Sequence, residues 1–255
     1  MKRWDIVVSV LLFILGALCY IFFDLRPVTI LEDALANQLL CGFLSRVGIS
    51  LLFAWLLYNY GGRYLMVFRR DFPKMLLWAL PCFMVALVNF PYSALISKEA
   101  SIARGDLMGL YIMYVISVAI LEEFIFRGSL FVLLNDLLRN KRHKPLFIAL
   151  IGASVFSLFH LTNLFMGADI GATLLQCLYT FLIGGMLMIT IIKTKNIWLC
   201  VVVHALFDFG GLLIIHIGMG NPWDLVFWIL TIVSGVLAAG HFIYSLIKLE
   251  KEYAQ

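Results

Sequence analysis

The sequence predicts an all-α polytopic membrane bundle of about eight helices with both termini cytoplasmic, and three observations carry that prediction. Of its 255 residues, 63% are hydrophobic and only 13% charged, whereas a soluble domain is about 45–50% apolar and roughly 25% charged. The apolar residues run in long continuous stretches; the strands of a membrane barrel would instead alternate over about ten residues. The basic residues gather on alternate connections between those stretches, as a chain threaded repeatedly through a bilayer requires.

A spanning helix needs about 20 mostly apolar residues. Eight stretches qualify: 5–23, 37–60, 74–95, 108–132, 145–166, 171–192, 196–217 and 223–247. Lys2 and Arg3 before the first run resemble the start of a signal peptide, but no small-residue cleavage site follows. Leu18 before Cys19 also speaks against lipoprotein-type processing, so 5–23 is read as a retained span. The inner segments then hold 14 basic residues: Lys2, Arg3, Arg63, Arg69, Arg70, Lys74, Arg139, Lys141, Arg142, Lys144, Lys193, Lys195, Lys248 and Lys251. The outer segments hold 3, Arg26, Lys98 and Arg104. That bias orients the helices, and the net charge of +4 needs no nucleic-acid partner. The chain reads as one membrane domain, 1–255, with no soluble module attached.

Local features agree. Trp4, Trp198 and Trp223 stand near span ends, where interfacial aromatics belong. Cys19, Cys41, Cys82, Cys177 and Cys200 lie in apolar stretches with no CxxC pair, so they read as small buried hydrophobes. Pro81 and Pro91 are expected to kink or end the third span. Gly152, Ala153, Ser154 and Ser157, and later Gly184, Gly185, Gly235 and Ala239, are expected to let helices approach closely.

Ionisable residues inside a membrane are costly and mark functional sites by default. Six of them form three small groups on three spans. In Leu121-Glu122-Glu123-Phe124-Ile125-Phe126-Arg127, Glu123 and Arg127 are i and i+4 and share a helix face. Glu122 is turned about 100° away, so one carboxylate is neutralised locally and the other is left for chemistry. Phe156 and His160 share a face on a second span, and His204 and Asp208 share one on a third. Arg46 reads as a structural cation. His143 reads as a solvated loop residue, His216 as interfacial and His241 as a packing hydrogen bonder. Asn163 is a weaker candidate for the same site.

At these residues the sequence resembles the CPBP family, the CAAX-protease and bacteriocin-processing (Abi-type) membrane proteins. That family carries EExxxR, FxxxH and HxxxN/D motifs on separate helices. Here they stand as Glu122-Glu123…Arg127, Phe156…His160 and His204…Asp208. The resemblance covers roughly residues 110–215, within a motif-bearing core of about 108–217. It implies a helical fold around a water-accessible cavity and a glutamate-type endopeptidase, in older descriptions a metalloprotease. It also implies membrane-associated protein or peptide substrates, and a location in the plasma membrane of a bacterium. By resemblance Glu122 matches the catalytic glutamate, and His160 the histidine that shares its water. His204 and Asp208 match the oxyanion-stabilising pair, and Glu123 and Arg127 the structural ion pair. Some members carry Asn where this chain has Asp208. An Asp donates a hydrogen bond to an oxyanion only when protonated; otherwise it acts by holding His204 as an imidazolium.

The expected chemistry is hydrolysis. Glu122 and His160 hold a water, Glu122 takes its proton, and His204 faces the developing oxyanion. No cofactor is required by this scheme. The alternative is zinc, because Glu122, His160 and His204 have the donor types of a His₂Glu site, although no HExxH helix is present. A reading from a different class is a non-catalytic immunity or regulatory protein that binds a membrane partner through the same polar groups. The expected boundaries put Glu122 inward of the midplane and His160 nearer the outer face, a mismatch of roughly ten ångströms at about 1.5 Å per residue. Shifting the fourth span C-terminally, toward Leu138, removes most of that mismatch, and tilt accounts for the rest. The face onto which the cavity opens, the substrate and the oligomeric state are left open by the sequence.

Overall fold

The computed structural model describes residues 28–67 and 72–254, together with Ile14. Seven helices in it are long and apolar enough to cross a membrane: Ala34–Asn59, Pro73–Ser97, Gly105–Leu137, Lys144–Met166, Ile170–Thr194, Ile197–Ile217 and Leu225–Tyr253. They coincide with seven of the eight expected spans. The first, 5–23, lies outside the described residues apart from Ile14, as do Lys2, Arg3, Trp4, Cys19, Arg26, Arg69 and Arg70.

Helix α1 is Ala34–Asn59, started by the Asp33 carboxylate, which accepts from the Ala36 N–H. The next span is broken. Helix α2, Phe72–Val88, contains Pro81 and stops three residues short of Pro91, and the short α3, Tyr92–Ser97, begins after it. The residue before a proline is pushed out of the α region, which accounts for the break. The fourth span is a composite of α4 (Met108–Glu123), a wider π-helical stretch (Phe124–Leu130) and α5 (Phe131–Leu137). π turns are rare and occur mostly at functional sites. The sequence, read as plain α-helix, gives no sign of this one.

Helix α6, Lys144–Phe159, tightens into a 3₁₀ turn at His160–Met166. Asp169 then caps α7 (Ile170–Thr194) by accepting from Ala172 N–H. Lys195 and Asn196 connect α7 to α8 (Ile197–Ile217). Strand β1, Ala100–Ile102, pairs antiparallel with β2, Gly218–Gly220, in a short two-stranded sheet that the sequence did not announce. Helix α9, Leu225–Ala254, closes the bundle, and the Ser93 hydroxyl ties its entry to α3 by donating to Asp224.

The largest buried cluster gathers Phe53, Leu121, Phe126, Phe131, Leu187 and Ile197 where α1, the fourth span, α7 and α8 meet. A second gathers Tyr111, Val115, Leu213 and Ile217. The outside is apolar as well: Leu77 is 70% exposed, Val236 69% and Leu178 63%. Such a surface suits lipid, not water. Cys82 and Cys200 are buried, Cys41 and Cys177 half-buried, and all four are free thiols. Trp198, at its expected depth near a span end, donates its indole N–H to the Met66 carbonyl.

Close approach depends on some of the expected small residues and not on others. A Cβ on Gly184 would lie 2.7 Å from Phe156 Cδ1, and one on Gly185 2.5 Å from Phe242 Cζ. Gly235, expected to pack in the same way, has nothing within 4 Å of such a Cβ; it faces a cavity instead. Gly184→Val is therefore expected to destabilise the bundle by about 1–3 kcal/mol, the usual range for overpacking, read as a lower thermal midpoint in detergent. Gly235→Ala should leave that midpoint unchanged or raise it.

Candidate active site

The two adjacent glutamates end α4 and diverge as their helical angles require. Glu123 turns into the protein. Its Oε1 accepts from Arg127 Nη1 at 2.7 Å and from His204 Nδ1 at 2.7 Å. The Glu123 and Arg127 side chains are both 0% exposed. Arg127 Nη2 donates to the Gly184 carbonyl at 3.2 Å, and its guanidinium carbon stands 4.2 Å from the centre of the Phe156 ring. One buried carboxylate and one buried cation thus tie together the fourth span, α6, α7 and α8.

Glu122 turns the other way and lines a cavity of about 650 Å³, together with His160, His204 and Asp208. His204 is the hinge between the two carboxylates. Because its Nδ1–H is given to Glu123, its Nε2 points into the cavity, 3.7 Å from Glu122 Oε2 and 3.4 Å from Asp208 Oδ2. His160 Nδ1 is 2.9 Å from the Phe156 carbonyl, which only accepts. Nδ1 therefore carries the proton and Nε2 is left as an acceptor. The Phe156 ring packs edge-on against both imidazoles, with centroids 5.0 Å from His160 and 5.9 Å from His204.

The expected offset in depth persists: His160 lies 16 residues after Lys144 and 6 before Met166, toward one end of its span, yet it lines the same cavity as Glu122. The fourth span runs to Leu137, so Glu122 lies 17 residues after Gly105 and 15 before Leu137, near its middle. Helix α8 is held in register from two sides. Asn89 Nδ2 donates to the Phe207 carbonyl at 2.9 Å and Tyr111 Oη to the Phe209 carbonyl at 2.7 Å, on either side of Asp208.

Other polar residues find definite places. Arg46 is 3% exposed, donates to the Gly42 carbonyl and lies over the Tyr114 ring, 4.8 Å from its centre. His241 and Ser245 form the expected packing hydrogen bond, at 3.3 Å. His216, expected at the interface, packs edge-on against Tyr114 and lines the cavity. His143, expected to be simply solvated, is paired with Glu250. Asn163 lines the cavity and donates to Gln176 Oε1 at 2.8 Å.

Spacing along single helices found the pairs Glu123–Arg127 and His204–Asp208. It missed the bond from His204 to Glu123, which joins residues 81 apart, and the amide partner Gln176. Only contact between spans reveals those. The zinc alternative requires three donors converging on one point. Among the described residues no group of three His, Cys, Asp or Glu side chains is arranged in that way, so no step is routed through a metal here.

The described residues form a membrane-type helical bundle with a cavity lined by two carboxylates, Glu122 and Asp208, and two imidazoles, His160 and His204. Residues 104–210, which contain all three motifs, match the family model described as Rce1-like: Type II CAAX prenyl endopeptidase Rce1-like. Over that segment the chain is similar to a CAAX-type endopeptidase, in agreement with the resemblance drawn from its motifs. No curated protein and no solved structure matches the chain.

Removing one member of a buried ion pair costs more than removing both, because an uncompensated charge is left in a low-dielectric interior. Arg127→Met is expected to destabilise the protein by about 3–5 kcal/mol. The double variant Glu123→Gln, Arg127→Met should recover part of that loss. Thermal unfolding of the purified single and double variants measures the coupling.

Proposed function

We propose that the protein is a metal-free glutamate endopeptidase that cleaves membrane-associated proteins or peptides by activating a water in this cavity. The observation that carries the reading is the convergence of Glu122, His160, His204 and Asp208, from three spans, on one cavity, with both imidazole tautomers set by fixed acceptors. Purely structural histidines would not need their second nitrogens aimed into the same space.

In the proposed reaction the water is not metal-bound and donates both of its hydrogens to protein acceptors. It is held by the His160 Nε2 lone pair and the Glu122 carboxylate. Glu122 takes one proton while the water oxygen bonds to the scissile carbonyl carbon and the carbonyl π electrons move onto oxygen. His204 stabilises that oxyanion through an Nε2–H, its Nδ1–H remaining on Glu123. Collapse of the tetrahedral intermediate breaks the C–N bond, and Glu122 passes its proton to the departing amine. Preorganised donors in a water-poor site are worth about 2.7–4 kcal/mol each in a known case. Asp208 is a positioning residue in this scheme. Its carboxylate, 3.4 Å from His204 Nε2, holds the imidazole in its charged form between turnovers. That assignment suits an Asp where an Asn would act as a direct donor.

A plasma-membrane location in a bacterium and substrates tethered to that membrane follow as parts of the same proposal. Glu122→Gln keeps the shape of the side chain but removes its basicity. Cleavage should fall by about 10²–10⁴-fold, the range for a general base, with the thermal midpoint unchanged. The assay compares the membrane proteins and released peptides of cells carrying the parent or the variant, followed by the purified enzyme on the accumulating species. Full function in Glu122→Gln cells would favour the binding or immunity reading instead. Cleavage by the purified enzyme should persist after exhaustive chelation; loss restored by added zinc would replace the glutamate scheme with a metal one.

A further inference from the structure

The cavity is one-sided. On the spans that line it, the deepest lining residue stands near the middle of the span or, for Leu187, about five residues beyond it. These are Val85 of Pro73–Ser97, Glu122 of Gly105–Leu137, Phe156 of Lys144–Met166, Leu187 of Ile170–Thr194, His204 of Ile197–Ile217 and Ala238 of Leu225–Tyr253. From those points the lining continues in one direction only. It runs to Asn89 just after α2, to Asn163 and Ala168 after α6, to His216 on α8 and to Trp223 before α9. All of these lie toward the ends joined by residues 98–104, 167–169 and 218–224. Among the described residues, none on the connections 60–72, 138–143 or 195–196 lines it.

The two faces differ sharply in charge. The connections and span ends on the open side carry Glu32, Asp33, Glu99, Asp106, Asp169 and Asp224 but only Lys98 and Arg104 as described cations. Arg104 is itself bonded to Asp33 and Asp106. The closed side carries Arg63, Lys74, Lys141, Lys195 and the other inner basic residues. The basic face of a membrane protein stays in the cytoplasm.

We propose that the cavity is entered from the extracytoplasmic side and that its substrate is a peptide segment presented there, an exported or membrane-tethered chain rather than a cytosolic tail. The substrate half of this proposal rests on the hydrolase reading; the sidedness does not. The wall above the catalytic floor suits such an occupant. Asn163 and Gln176 face each other across the 3₁₀ turn and α7, three residues beyond His160 toward the mouth. Their mutual bond uses one donor and one acceptor. The donor is an Asn163 N–H and the acceptor the Gln176 carbonyl, so the Asn163 carbonyl and the Gln176 amide N–H groups are left by this bond, the complement of a peptide unit's N–H and C=O. An extended segment entering from outside passes this amide pair before its carbonyl reaches Glu122 and His204.

The test is labelling of single added cysteines by a membrane-impermeant maleimide, with the parent chain and its native thiols as background. Ile215 lines the cavity and is 54% exposed; Lys141 is exposed on the basic face. In intact spheroplasts Ile215→Cys should label at least tenfold faster than the parent, and Lys141→Cys should label only after permeabilisation. The reverse pattern overturns the proposal. So does labelling of Ile215→Cys only after permeabilisation, and so does equal labelling of both variants in intact cells. Thr231→Cys, on α9 across the cavity, supplies the same readout if Ile215→Cys fails to fold. In sealed right-side-out vesicles, substrate added outside should be cleaved without permeabilisation; cleavage only after permeabilisation overturns the substrate half. A protein that labels as expected but cleaves nothing in either vesicle orientation leaves the sidedness standing and defeats the hydrolase reading.

Discussion

The carboxylate of Glu123 is the interaction on which the site depends. It lies where neither water nor lipid headgroups can solvate it, and it receives both the Arg127 guanidinium and the His204 imidazole at 2.7 Å. A charge so placed is tolerable only when paired and hydrogen-bonded; here both bonds converge on Oε1, and Oε2 has no hydrogen-bond partner among the described residues. The arrangement that neutralises it also aims His204 Nε2 at Glu122 and Asp208. Structural cost and chemical purpose meet in one group. The energetically demanding pair fixes the orientation of a residue that acts elsewhere.

Around that anchor the bundle removes freedom by close packing. Phe156 is its centre, touching the Arg127 guanidinium on one side and both imidazoles at its edge. Gly184 brings the backbone of α7 near enough for its carbonyl to accept from Arg127. The π-helical stretch Phe124–Leu130 carries Arg127 immediately after the two glutamates, and Gly128 within it allows Leu57 of α1 to approach. Preorganisation of this kind is what an electrostatic catalyst needs, because donors that have to rearrange give back much of what they contribute.

The membrane supplies the rest of the constraint. A backbone in lipid satisfies its own hydrogen bonds, so the departures from regular helix fall inside the protein or at its ends. The 3₁₀ turn after His160 and the break before Pro91 both border the cavity or its mouth. The cavity opens toward one end of the bundle and holds Glu122 and His204 near its inner end.

Much of this was legible in the residues themselves. Continuous apolar runs marked the seven spans found among the described residues, because burial in lipid acts on local composition. The pairs Glu123–Arg127 and His204–Asp208 were legible too, since four residues on one helix always share a face. Relations between helices were not. Spacing carries no information on which face of α8 meets the fourth span, so the bond from His204 to Glu123 and the amide pair of Asn163 and Gln176 emerged only on folding. The sidedness of the cavity is of the same kind. Each span is apolar along most of its length, and only the packing of the helices decides at which end a cavity is left between them.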